Sequence, residues 1–320
     1  MPLSAAAWNG RRSSMGRVIQ PFEFVEPSTI DEALGLAAAE GSRLFAGGCE
    51  LVLSMRRGEV RYRRLVSIMG VGGLGGFRAH PKHGLEFGAQ VKIRQLANHI
   101  WVGKRWAALH EAIEQLHPPH IMNMGTVVGN LCSAVPYYDL PTSLYAHRAV
   151  IRIGDGRSDR ELPIDDFYIG PRMTALGRGE MVTSIFVPPP LADAGSAFKK
   201  IYKARRRSND LHKINAAAYV ALDADKETIV DATLVIGSVG AKPVRIAKAE
   251  TVLRGQSAGH AAYEAAAEIA AKAVEPMTDA AWVEEIRSEW IRLLARDVLE
   301  QAASRARSRH DPAEDAHLAF

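Results

Sequence analysis

Apolar and polar positions alternate between two rhythms along this chain, and the rhythm changes near residue 192. A strand is predicted near Phe22–Val25, then a helix through Ala33, Leu34, Leu36 and Ala37. Thr29, with Glu32 three residues on, forms a capping box at its start. Arg43–Phe45 reads as a short strand broken by Ala46-Gly47-Gly48, and Arg64–Met69 as another, giving a β-α-β-β opening. Gly70–Gly76 reads as a loop and Leu85–Ile93 as an alternating strand. Helical stretches follow around Arg94–Ile100 and Lys104–Leu116, the second ended by Pro118-Pro119. Asn123–Ser133 reads as a small-residue loop, Leu140–Ala146 as a helix, and Ala149–Ile153 and Met181–Val187 as strands.

Pro188-Pro189-Pro190 is the best linker in the chain. Beyond it lie three β runs, Phe198–Ala204, Ala216–Asp223 and Ile229–Gly237. Two helices follow: the alanine-rich Ala261–Val274, and one from Asp279 that places Trp282, Ile286, Trp290, Leu293 and Leu294 on one stripe. The expected organisation is a flexible tail over 1–17, a mixed α/β domain over 18–191 with parts at about 18–70 and 71–191, a domain over 192–302, and a flexible tail over 303–320. The class is α+β, the last domain being a three-stranded antiparallel sheet with helices on one side.

Composition narrows the functional classes. The 320 residues are 47% hydrophobic and 24% charged, which is ordinary for a soluble globular protein. The net charge of +4 owes much to the run Lys203–Arg207. No zinc-finger spacing or aromatic-basic RNA motif accompanies it, so nucleic acid is the weaker reading. Cys49 and Cys132 cannot furnish an iron–sulfur site that needs four thiolates, though a disulfide between them stays open. Few cysteines and no secretory segment point to the cytoplasm. Arg11-Arg12 is followed by Ser13, Ser14 and Met15 rather than an apolar run, and no stretch is long enough to span a membrane. His117 and His120 have no further ligands beside them and make a poor metal site.

The candidate chemistry lies in two glycine-bearing segments. Ala46-Gly47-Gly48-Cys49-Glu50-Leu51 and Gly125-Thr126-Val127-Val128-Gly129-Asn130 each let backbone N–H groups turn toward one point and let a ligand approach closely. Thr126 and Asn130 add side-chain hydrogen-bonding groups. Neither segment is a Rossmann fingerprint or a P-loop, and a glycine pair by itself is an ordinary turn. Two such segments together suggest a dinucleotide clamped between subdomains.

At this point the chain resembles the medium, FAD-binding subunit of the xanthine dehydrogenase and carbon monoxide dehydrogenase family of molybdenum hydroxylases. That family carries an Ala-Gly-Gly-x-x-Leu loop, matched by Ala46 to Leu51, and a Gly-Thr-x-Gly-Gly-Asn motif, matched by Gly125 to Asn130. Its small-Pro-x-x-Asp element corresponds to Val135-Pro136-Tyr137-Tyr138-Asp139, and its Lys-x-x-Arg-x-x-x-Asp element to Lys203, Arg206 and Asp210. Gly237 to Arg245 resembles its Gly-x-Val-x-x-x-Pro-x-Arg segment, and the order agrees over roughly residues 20 to 300.

The resemblance implies a two-subdomain FAD-binding domain of the vanillyl-alcohol-oxidase (PCMH) type followed by a flavoprotein C-terminal domain. It implies that Ala46, Gly47, Gly48, Cys49, Glu50 and Leu51, with Thr126, Val127, Val128, Gly129 and Asn130, hold the pyrophosphate and ribityl region of FAD. Asp139 matches a family carboxylate that contacts the cofactor, although a helix N-cap before Leu140-Pro141 explains it equally. Lys203 matches a lysine near the flavin, where a cation eases reduction, and Val182 an apolar residue packing on the ring. One of Tyr137 and Tyr138 is a candidate to stack on the flavin, with simple burial beside Pro136 the competing account. The implied role is electron transfer: FAD receives electrons from [2Fe–2S] clusters of a small partner subunit, a large partner holds the molybdenum cofactor, and an acceptor such as NAD or a quinone takes them away. No catalytic base or nucleophile is expected in this chain. The alternatives are a self-sufficient FAD-dependent reductase of the same fold and a flavin-free structural subunit.

The chain departs from the pattern in places. Val128 stands where glycine is usual, and because valine disfavours positive φ the second loop is expected to be reshaped or its backbone held further from phosphate. Met122 replaces an arginine, Val135 a serine, and Cys49 a Thr, Ser or His.

Overall fold

The computed structural model describes residues 18–116, 119–156, 158–202, 212–274 and 284–308. The tail over 1–17, Lys203, Arg206, Asp210, Trp282 and most of the expected C-terminal tail lie outside them.

The chain begins β1 (Glu23–Val25), α1 (Ile30–Ala37), β2 (Ser42–Phe45), α2 (Cys49–Arg57) and β3 (Arg64–Ser67). The strands form a parallel sheet in the order β1-β3-β2. Thr29 caps α1 as expected by accepting the Glu32 N–H, while Glu32 reaches back to the Ser28 N–H. The expected β-α-β-β opening misses α2. Gly48 takes φ 72° as the residue before that helix, so the glycine pair both ends a strand and starts a helix.

The second subdomain runs β4 (Phe77–His80), β5 (Gly84–Gly88), α3 (Ile93–Ala97), α4 (Ile100–Arg105), α5 (Ala107–Glu114), α6 (Pro119–Met124), α7 (Val127–Cys132) and α8 (Asp139–Ala146). Then come β6 (Val150–Gly154), β7 (Asp159–Pro163), α9 (Ile164–Phe167), β8 (Tyr168–Gly170), β9 (Met173–Thr174) and β10 (Met181–Val187). An antiparallel five-stranded sheet has the order β4-β5-β10-β6-β7. The strand expected over Leu85–Ile93 ends at Gly88 because the Gln90 amide donates to the Ile68 and Val71 carbonyls, both at 2.6 Å, and draws the chain out of the sheet. The segment read as a loop over Asn123–Ser133 contains the end of α6 and all of α7.

The last domain is β11 (Ala194–Tyr202), β12 (His212–Leu222), β13 (Ile229–Gly237), β14 (Val244–Arg245), α10 (Ala247–Leu253), α11 (His260–Ala273) and α12 (Glu284–Arg307). Its antiparallel sheet has four strands, the fourth being a two-residue edge too short to read from sequence. The strands alternate between two cores, as a period of two dictates. Phe198, Ala217 and Val235 join the core of the first domain, while Ala197, Ala216, Ala218, Leu234 and Ile236 pack under α11 and α12. Alanines along β12 let helices approach both faces: α8 on one side, α12 on the other. The helix α12 passes the expected boundary at 302, and Ala303 and Ala306 are fully buried. Gly195 of β11 makes room for it, since a Cβ there would lie 2.2 Å from the Ala302 carbonyl oxygen.

Polar contacts around α8 help to join the domains. Asp139 and Lys200 form a buried ion pair at 2.6 Å, and Asn215 donates to the same carboxylate at 2.9 Å. Arg148, after α8, clasps Asp231 of β13 through both terminal nitrogens.

Candidate functional site

The two glycine-bearing segments meet. Gly47 lies between β2 and α2, and a Cβ on it would fall 2.1 Å from the Met124 carbonyl oxygen and 2.8 Å from the Gly125 Cα. Only glycine allows that backbone-on-backbone approach. A Cβ on Gly48 would strike the Phe45 ring at 2.6 Å. The second segment is held from behind: Ile93 N–H donates to the Gly125 carbonyl and Val127 N–H to that of Val91. Thr126 caps α7 by accepting the Gly129 N–H at 3.0 Å.

Thr126, Val127 and Val128 are buried and support the turn from the core side. Val128 lies inside α7 and is not among the positive-φ residues, so valine brings no backbone strain at that position. Gly129 and Asn130 are half-buried, and the Asn130 side-chain oxygen is buried without a hydrogen-bond partner. Such an acceptor is costly unless a ligand or a small rearrangement supplies a donor.

Glu50 opens α2, with a carboxylate already engaged: one oxygen accepts from Ser54 at 3.2 Å and Arg172 at 2.8 Å, the other from the Tyr138 hydroxyl at 2.6 Å. It holds Tyr138 and Arg172 in place. Burial first, and the Glu50 carboxylate second, push the Tyr138 hydroxyl well above the usual phenol range, so it stays a donor. The ring of Tyr137 stands edge-on to that of Tyr138 at 5.8 Å. Arg172 (φ 58°) and Ala134 (φ 44°) are both left-handed, and the Arg172 N–H donates to the Ala134 carbonyl at 2.8 Å. Backbone strain of this kind costs about 1–3 kcal/mol per residue and collects beside functional sites.

Cys49 and Leu51, in the first turn of α2, are half-buried with Ala46, Gly47 and Gly48. Cys49 and Cys132 are both free thiols, which closes the disulfide question. Burial raises the Cys49 thiol, with Lys92 opposing.

Asp139 and Val182 lie outside the two glycine segments. Asp139 belongs to the buried cluster between the domains, drawn there by Lys200 and Asn215; Tyr138 rather than Asp139 precedes α8 as its cap residue. Val182, in the central strand β10, is 1% exposed within the core, so packing accounts for it. Lys92, read from the sequence as part of a strand, belongs to neither glycine segment.

The junction suits a diphosphate-bridged cofactor such as FAD. It offers glycine backbone with no room for a Cβ, the start of the nine-residue α2, and an unpaired buried amide oxygen. Among the described residues no group of three or more His, Cys, Asp or Glu is placed to hold a metal, and no helix is long and apolar enough to cross a membrane.

Fold and junction together define the class: a two-subdomain FAD-binding fold carrying a C-terminal antiparallel-sheet domain. Residues 20–190 match the family described as the FAD binding domain in molybdopterin dehydrogenase, and residues 197–315 the CO dehydrogenase flavoprotein C-terminal domain. The chain belongs to this molybdopterin dehydrogenase flavoprotein family. A putative xanthine dehydrogenase FAD-binding subunit of Escherichia coli strain K12 is 27% identical over 281 residues, covering 87% of this chain and 95% of the relative. The nicotine 6-hydroxylase medium subunit of Paenarthrobacter nicotinovorans is 27% identical over 285 residues, covering 88% and 97%. The solved carbon monoxide dehydrogenase of Hydrogenophaga pseudoflava includes a chain that superposes with a TM-score of 0.82 at 25% identity, covering 90% of this chain and 99% of that one.

Proposed function

We propose that this chain binds FAD across the junction of its two glycine turns and works as the electron-transfer subunit of a molybdenum hydroxylase. In this reading a small partner with [2Fe–2S] clusters delivers electrons, a large partner holds the molybdenum cofactor and oxidises the substrate, and NAD or a quinone is the acceptor. The observation that carries the proposal is the Gly47 backbone seated on Met124–Gly125, with the unpaired Asn130 oxygen close along the chain. Bound FAD supplies redox chemistry that no side chain can.

The chain's own residues bind and orient. Gly47 lets the two turns close on each other so that their backbone meets the diphosphate, and Asn130 hydrogen-bonds the cofactor. Glu50 fixes Tyr138 as a donor and Arg172 as a cation near Tyr137, and the family resemblance assigns Lys203 to the flavin ring. The relatives named above are called after xanthine, nicotine and carbon monoxide. That range suits a subunit that leaves substrate choice to a partner. A composition poor in cysteine, with both thiols free, supports a cytoplasmic location.

The test is purification of the assembled complex. A flavin absorption band, a large molybdenum protein and a small iron–sulfur protein are expected together, and a folded, assembled but colourless complex would refute the redox role. Replacing Asn130 with Leu removes the amide without adding bulk, so flavin retention should fall while the melting temperature holds. Unchanged flavin content in that variant removes Asn130 from the site.

A further inference from the structure

The two glycine segments bring no cation of their own: residues 46–51 and 125–130 contain no lysine, arginine or histidine. A diphosphate diester is a dianion, and backbone N–H groups offset only part of that charge. One ammonium stands at the junction. Lys92 Nζ donates to the Met124 carbonyl oxygen at 2.8 Å, the atom against which Gly47 is packed, and lies 3.9 Å from the Met69 sulfur.

Its backbone is fixed there. Lys92 forms an isolated β-bridge with Thr126, and its N–H is held by the Gln95 side chain at 2.8 Å. Among the described residues no carboxylate pairs with this ammonium; its partners are a carbonyl and a thioether. Burial lowers Lys92 below its ordinary value, with only the Cys49 thiol acting the other way. A partly desolvated cation without a counter-charge is unfavourable alone and favourable once an anion arrives. A hydrogen bond to one carbonyl needs only a neutral donor, so the charge itself requires a reason.

We propose that Lys92 is the counter-ion of the bound diphosphate, placed by its bridge to Thr126 at the carbonyl where the two glycine turns touch. The proposal rests on the FAD site argued above and adds to it a residue outside both glycine segments. It makes binding of the diphosphate electrostatic and pH-dependent. An anion beside Lys92 raises its pKa, so affinity falls as pH climbs through the lysine's range.

The test uses the full chain freed of flavin and titrated separately with FAD and with ADP, which carries the diphosphate but no flavin. Lys92→Gln keeps a donor for Met124 and loses the charge. Its affinity for both probes should fall about tenfold or more, the size of a charge-assisted hydrogen bond. Lys92→Arg should recover most of it, with thermal melts unchanged. Equal affinities in wild type and a folded Lys92→Gln overturn the assignment. If the glutamine variant does not fold, the wild-type pH profile decides: affinity declining through the alkaline range supports Lys92, and a flat profile overturns it. A wild-type chain that binds no FAD defeats the underlying cofactor reading instead.

Discussion

At Gly47 one hydrogen atom decides whether the two halves of the site can meet. A methyl group there would sit 2.1 Å from the Met124 oxygen, against backbone anchored by the hydrogen bond from Ile93 to Gly125. Neither side is a flexible side chain that could swing away. Gly47→Ala should therefore part the turns, costing ~1–3 kcal/mol of stability, as overpacking typically does. Flavin content, measured by absorbance on the purified complex, should fall with it; a variant melting at the wild-type temperature with full flavin would show that the close approach is dispensable. Asn130 differs in kind, because its amide is expected to contribute to the ligand and not to the fold. Cys132 is inert by contrast, its thiol pushed up to about 12 by burial.

Among the elements, those with a strong repeating pattern were legible and those made by a turn were not. The capping box of Thr29 and Glu32 marks α1, and the apolar runs mark β10, β12 and β13. The helices α2 and α7 were hidden because glycines open or interrupt them, and a glycine pair in sequence does not say whether the next residues coil or turn. The end of α12 was hidden because its last turns bury alanines among charged residues, which leaves little apolar contrast to read. Arg305 there donates to the Ser196 carbonyl and pairs with Glu111 of α5. Ending the chain after Ala302 should remove these contacts and lower stability by ~2–4 kcal/mol, by loss of buried side chains and hydrogen bonds. Chemical denaturation of the truncated chain checks this, and an unchanged midpoint would return residues 303–307 to the status of a tail.

For the whole molecule, the first domain carries the glycine junction while the second braces it through α5 and α8. The Arg148–Asp231 clasp ties the end of α8 to β13, with Arg254 3.3 Å from the same carboxylate. Burial works to raise the Asp231 carboxyl, but the two guanidiniums outweigh it and hold it below its ordinary 3.8. A carboxyl depressed in the folded state stabilises fully above its unfolded value and loses that contribution as pH falls through the folded value. The interface should therefore hold above about pH 4 and loosen in stronger acid. Asp231→Asn should flatten that part of the stability–pH curve when melting is followed from neutral to acid pH. If the variant keeps the wild-type slope, the clasp is not what acid releases.

Sequence alone determined the family, because the order of short motifs from Ala46 to Arg245 survives whatever happens between them. It also marked both glycine turns, since steric demand for glycine is written in the residue itself. Only the tertiary structure decided which neighbours those residues have. It sent Asp139 into the domain interface, because Lys200 and Asn215 arrive there from strands distant in sequence. It absorbed Val128 into a helix and brought Lys92 to the carbonyl shared by the two turns. Local pattern reports a residue's own conformational and burial preferences. Which charge meets which partner depends on long-range packing, and no local pattern carries that.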